Sequence, residues 1–408
     1  MMNHAATIPW EARSLVREAK RDWLDWLAPL LVIAYLTISR SFAHWGVPPL
    51  YIGELALGAI LLFRPRAILG SWVEAGLMRS PYYYFAVVLI ISITFGAYQC
   101  LRGIGLGHPT MIALQNLVFH TYPLYFFVGV WVAQRHPELL SRLIRSLAWI
   151  HGIYGVLFVV VLGKADLVET ADETVGWVGQ PYGAAVVLLG LLCFEPKLFR
   201  VWLPFLLNTF VLLALQVRAA WLGFIVALSM WGYLSGNLRR VAIACGAGAL
   251  FLVLGFAFDL EIPGPATRGE KVSARQIVGR AVAAVDPALA ASFTRNADSY
   301  AGTVSWRTEW WSELTKMVFD STETSLIGPG YGYPIWDHHP LDLGDAPIRT
   351  PHNVTMYALS YTGGLGVLIF YTLQLSLAGI MWRVYRQTGQ AFGICYLVLV
   401  FVWAHFDN

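Results

Sequence analysis

Three side chains, far apart in the chain, have the types and settings for chemistry on a phosphorylated lipid: Arg218, Arg307 and His352. A guanidinium stays charged at any physiological pH and presents a planar fork of N–H donors that matches diphosphate oxygens. A neutral imidazole can accept a proton from a hydroxyl or orient it. Together they suit transfer from a diphosphate-linked lipid to a hydroxyl: the arginines stabilise the departing diphosphate and the histidine serves the incoming oxygen. Such a cluster needs no metal ion and no cofactor. The outer segments contain no DxD or ExD; Asp259-Leu260-Glu261 and Asp342-Leu343-Gly344-Asp345 are the nearest approaches and are unspecific.

Each residue also has a plainer reading. Arg218 lies in Gln216-Val217-Arg218-Ala219-Ala220-Trp221-Leu222-Gly223, a hairpin so short that its guanidinium must sit at the lipid–water boundary, where snorkelling alone accounts for it. Arg307 lies in Ser305-Trp306-Arg307-Thr308-Glu309-Trp310-Trp311, expected as an amphipathic helix capped by Ser305; there it could simply pair with Glu309 or solvent. His352, in Pro351-His352-Asn353, opens a span and could merely cap it. A helix N-terminus, however, favours the neutral imidazole and attracts anions. Gly328-Pro329-Gly330-Tyr331-Gly332-Tyr333-Pro334 is a glycine-rich turn without the Lys-Ser/Thr of a P-loop, so nucleotide binding is not expected. Gly363, Gly364 and Gly366 read as permitting close helix packing.

The elements that must position these groups are membrane helices. Of 408 residues, 57% are hydrophobic and 13% charged, about half the charged share of soluble domains, which excludes an ordinary cytosolic enzyme. A net charge of +3 is too small to imply nucleic-acid binding. Cys100, Cys193, Cys245 and Cys395 stand singly in apolar runs and read as packing residues, not as a zinc or disulfide framework. The expected fold is all-α and polytopic, with eleven spans near 27–45, 47–63, 81–98, 111–133, 143–163, 180–194, 198–216, 219–235, 241–258, 352–382 and 391–406. Four regions follow: an amphipathic segment, 1–26, on the inner leaflet; nine spans within 27–258; a long outer loop, 259–351, with an amphipathic helix around 272–285; and two spans within 352–408. Sixteen Lys and Arg fall in the N-terminal segment and alternate connections, against four (Arg40, Arg102, Lys164, Arg218) in the other short ones, so the N-terminus is expected inside. The odd count leaves the C-terminus outside and points to a twelfth span beyond Asn408.

Ionisable groups within spans are few. Arg40 and Glu54 flank the turn Trp45-Gly46-Val47-Pro48 and are expected to form an ion pair that pins the hairpin. His120 and His151 are expected to hydrogen-bond between packed helices rather than relay protons. The scarcity of buried carboxylates argues against a proton-driven carrier, and no internal repeat marks a transporter.

These features resemble the O-antigen ligase and O-antigen polymerase superfamily of bacterial inner-membrane glycosyltransferases. The resemblance rests on Arg218-Ala219-Ala220-Trp221-Leu222-Gly223, the long loop with Arg307 and Gly328-Pro329-Gly330-Tyr331-Gly332, and Pro351-His352-Asn353 followed by Gly363 and Gly366; Gly176-Trp177-Val178-Gly179-Gln180-Pro181 is a weaker feature. It implies metal-independent, inverting transfer of a glycan from undecaprenyl diphosphate to a periplasmic hydroxyl. Arg218 and Arg307 would hold the diphosphate, and His352 would activate or orient the acceptor. Tyr331 and Asn353 are expected as further substrate contacts. The expected partners are the lipid-linked donor, a glycan or lipid A-core acceptor, and membrane lipid. A ligase is the leading reading, a polymerase extending the lipid-linked chain its close rival. A lipid-linked glycan carrier or flippase and a non-catalytic assembly subunit are the readings from other classes.

Overall fold

The computed structural model describes residues 22–70, 72–73, 82–162, 168–169, 174–175, 180–263, 271–283, 285–294, 297–339 and 350–406. The chain is overwhelmingly helical. Its described strands are three short antiparallel ribbons, pairing 46–47 with 50–51, 168–169 with 174–175 and 261–263 with 271–273. In chain order the bundle helices are α1 (Leu24–Thr37), α2 (Ile52–Phe63), α3 (Tyr83–Gly105), α4 (Thr110–Arg135, with a tighter turn at Tyr122–Leu124), α5 (Leu139–Val160), α6 (Pro181–Phe194), α7 (Trp202–Ala214), α8 (Arg218–Ser235) and α9 (Leu238–Ala257). The outer segment supplies α10 (Ala274–Val282), α11 (Pro287–Ala291), α12 (Ala297–Val318) and α13 (Thr322–Ile327), and the chain returns through α14 (Val354–Thr388) and α15 (Phe392–Phe406).

Among the described residues, α3, α4, α5, α9 and α14 are each long and apolar enough to cross a ~30 Å hydrocarbon core. The expected segment 27–45 is divided instead. α1 ends at Thr37, Ser39 takes a left-handed φ of 53°, and a single turn, Arg40–Ala43, follows. The side chain of Arg40 and residues 1–21 lie outside the described residues, as do Gly176–Gly179 and Asp342–Asp345. Glu54 accepts hydrogen bonds from the Tyr51 amide at 2.9 Å and the Tyr122 hydroxyl at 2.6 Å.

Helix α6 carries no polar stripe, and a helix that is apolar all round belongs in a core. Its residues Pro181 through Leu192 are all buried, at the centre of the cluster formed with α5, α7, α8 and α15. Gly183 admits α1 and α5: a Cβ there would lie 2.1 Å from the Leu36 carbonyl oxygen and 2.5 Å from His151 Nε2. α9 is also apolar, yet Ala244 is its only buried residue, so its surface faces outward.

The basic connections gather at one end of this bundle. Arg64 meets Asp22 at 2.8 Å, Arg145 meets Glu195 at 3.0 Å, and Arg240 donates to the carbonyls of Leu192 and Pro196. A cavity of about 570 Å³ at this end includes Asp25, Arg135, His136 and Arg142, with Arg135 and His136 both turned onto Asp25. That is an ion-paired vestibule, remote from the residues singled out above.

Candidate active site at the end of α15

Helices α8 and α15 run antiparallel. Leu234, at the end of α8, accepts from the Tyr385 hydroxyl near the turn into α15, and Gly223 packs on Leu399 and Val402. At 1.5 Å per residue, Arg218 stands ~7.5 Å beyond Gly223, and Phe406 ~6–10 Å beyond Val402 and Leu399. Arg218 therefore lies at the depth of the last turn of α15. It is the first residue of α8, behind Val217, which has no side-chain oxygen to cap the helix, and Gln216, whose φ is 53°.

The last carbonyls of a helix lack intrahelical partners, and a cation or amide arriving there is favoured. Two candidate residues take that role at α15. Arg307 Nη1 donates to Phe406 O at 3.2 Å, and Asn353 Nδ2 donates to His405 O at 2.9 Å. The other end of the Asn353 amide caps α14, its Oδ1 accepting from Met356 N at 3.0 Å. Asn353, expected as a substrate contact, is thus the N-cap of one helix and the C-terminal tie of another. Arg307, whose plainer reading is a pairing with Glu309 or solvent, reaches the carbonyl of Phe406. Ser305 does not start the helix: α12 begins eight residues earlier at Ala297, and Ser305 Oγ donates back to Gly302 O.

His352 is held next to these groups. Its φ of 54° is left-handed, a conformation that costs L-residues roughly 1–2 kcal/mol and in which His is several-fold enriched. Trp311 Nε1 donates to Pro351 O at 2.7 Å, which ties this turn to α12. Trp306 joins the two candidates: its ring centroid lies 5.8 Å from the His352 ring, and Arg307 Cζ lies 5.4 Å from the indole. Arg307, His352 and Asn353 are therefore neighbours, with Arg218 at the same depth on the adjoining helix.

Sequence reasoning missed two groups at this rim. His405 Nδ1 donates to Phe401 O, which leaves Nε2 as the acceptor facing the hydroxyls of Thr355 and Tyr371 at 2.9 and 3.0 Å. Arg280, on the expected amphipathic helix α10, donates to Gln216 O at 3.1 Å, over the turn that precedes Arg218. No sequence pattern joins residues 64 positions apart; only α10's amphipathic character was visible.

The glycine-rich turn enters the bundle between α3, α4 and α14, where Tyr331 is 1% exposed and its hydroxyl meets His120 Nε2, while His120 Nδ1 meets Ser92 at 2.8 Å. Burial pushes the Tyr331 phenol well above its usual pKa, so it remains a neutral O–H. Gln99 and Arg102 donate to the carbonyls of Ile327 and Gly328, and Asn116 accepts from Gly332 N. Gly363, with φ of 62°, kinks α14 where Gly328 approaches it. The turn is a structural plug, and Tyr331 is buried in the same cluster as Trp310, against which Trp306 packs. His120 and His151 do not meet each other; His151 instead bridges Asn208 and the Gln180 carbonyl, in keeping with hydrogen bonding between packed helices. Among the described residues, no three His, Cys, Asp or Glu side chains gather closely enough to hold a metal ion.

No curated protein matches the chain. Residues 203–371, which carry Arg218, Arg307, the glycine-rich plug and His352, match the family described as O-antigen ligase.

Proposed function

We propose that this multi-pass membrane protein transfers a glycan from undecaprenyl diphosphate to an acceptor hydroxyl, such as one on lipid A-core, at the periplasmic rim of the bacterial inner membrane. The acceptor oxygen attacks the anomeric carbon and passes its proton to His352. The bond from that carbon to the diphosphate oxygen breaks, and undecaprenyl diphosphate departs with the electron pair, its charge met by Arg218 and Arg307. Attack opposite the leaving group inverts the anomeric centre, and this route calls on no metal. The observation that carries the reading is the indole shared by Arg307 and His352, which sets a phosphate-binding group and a proton acceptor side by side. Further support comes from charge: the basic end belongs in the cytoplasm, which turns the α15 terminus outward.

A polymerase would use the same side chains with a second lipid-linked glycan as acceptor. The test supplies purified protein in detergent with undecaprenyl-diphosphate-linked glycan and either lipid A-core or a second donor molecule, then identifies the product. A ligase makes glycosylated lipid A-core, a polymerase makes a longer lipid-linked chain, and a carrier makes no glycosidic bond. Transfer that survives the combined loss of Arg218, Arg307 and His352 would leave a non-catalytic subunit as the better reading.

A further inference from the structure

The proposed transfer gives work to one face of Trp306's surroundings and leaves another unexplained. On the same half-buried indole, 5.2 Å from its centroid, lies the ring of His339. Two imidazoles thus flank one indole, His352 at the reacting position and His339 beyond it. His339 is held firmly. Its ring stands 4.7 Å from Trp310, which is 0% exposed, and its amide donates to Trp336 O at 3.0 Å. Trp310 Nε1 donates to Ile335 O at 3.3 Å, so the turn carrying His339 is bound to the helix carrying Trp306. The adjoining His338 is occupied separately, stacked on Tyr333 with Nε2 3.0 Å from its hydroxyl.

A sugar ring offers an apolar face of C–H bonds and a rim of hydroxyls that both donate and accept. An indole face beside an imidazole, which also both donates and accepts, complements that pattern. We propose that Trp306 and His339 form the wall that holds the acceptor sugar against His352. This deepens the transfer reading and rests on it. The indole packs the sugar's apolar face and His339 bonds a hydroxyl next to the reacting one, its ring set beside Trp310 and its amide bonded to Trp336 O. His339 is then a specificity residue for the acceptor, with no part in the bond exchange.

The test compares the full-length wild type with His339→Ala and Trp306→Phe in detergent, measuring transfer kinetics and, without donor, equilibrium binding of deacylated core oligosaccharide. For His339→Ala the acceptor KM should rise about tenfold, the worth of one hydrogen bond, with kcat and donor KM within twofold; oligosaccharide affinity should fall by the same factor. Trp306→Phe should weaken oligosaccharide binding as well. Unchanged acceptor KM and affinity, a rise in donor KM instead, or a fall in kcat alone would overturn the assignment. So would equal weakening toward phosphatidylglycerol vesicles and oligosaccharide, which would make the pair an interfacial belt. If the wild type transfers nothing, the transfer reading fails; oligosaccharide binding that His339→Ala weakens would still uphold the sugar wall, and absence of binding would remove it.

Discussion

The turn at 328–334 and the turn at 351–353 read alike in sequence, each a short connection on the outer side with a titratable ring at its centre. In three dimensions they are opposites. Tyr331 is buried and its turn is tied to α3, α4 and α14 by side chains that satisfy its backbone. His352 is half-exposed, backbone-strained, and grouped with Arg307 around one indole. Buried polar groups hydrogen-bonded across elements help to specify a fold; a strained, accessible ring beside a guanidinium is suited to chemistry. Variants at the first turn should therefore cost folding, and variants at the second should cost transfer.

The largest effect is expected at Gly103, where a Cβ would fall 1.9 Å from the Tyr331 carbonyl oxygen. Neither backbone can yield cheaply, so Gly103→Val should destabilise by about 3 kcal/mol or more and sharply lower the yield of folded protein, read by size-exclusion profile and thermal melting in detergent. A normal melt would mean that the plug is dispensable.

Next comes His352→Ala, expected to slow transfer by about 10²–10⁴-fold, the usual worth of a positioned base, while the left-handed turn costs alanine only about 1 kcal/mol in stability. His352→Gly sharpens the contrast. Relief of a left-handed cost of roughly 1 kcal/mol offsets the greater unfolded freedom of glycine, so this variant should melt no lower than wild type and still be inactive. A marked drop in melting would show that the imidazole holds the turn together.

The smallest effect is expected at Tyr331→Phe. It removes the hydroxyl bonded to His120 and should cost about 1–2 kcal/mol in stability, with transfer unchanged below the melting transition. Lost transfer in a well-folded Tyr331→Phe protein would make Tyr331 a substrate contact as well as a structural one.

Sequence legibility divides along the same line. The apolar segments announced the helices, since eleven such stretches each contain one in the described fold, and the residue types of Arg218, Arg307 and His352 announced possible phosphate and proton chemistry. Apolarity alone could not show that α6 is buried on all sides while α9 faces outward, because periodicity records composition and not neighbours. The plug was illegible for a related reason: Tyr331 meets His120 across 211 residues, and no local pattern encodes such a contact. Ser305 misled because a serine before an apolar run is a good cap only where the chain is not already helical.

The claim that Arg307 and His352 serve a single reacting centre is tested most directly by kcat/KM for Arg307→Lys, His352→Gln and the double variant. Lysine keeps the charge but loses the forked geometry, a misplacement worth about 10² in rate. If both side chains act on the same transition state, the double variant should lose much less than the product of the two single losses. A double loss equal to that product would mean that the two groups work independently, and the shared site would be wrong.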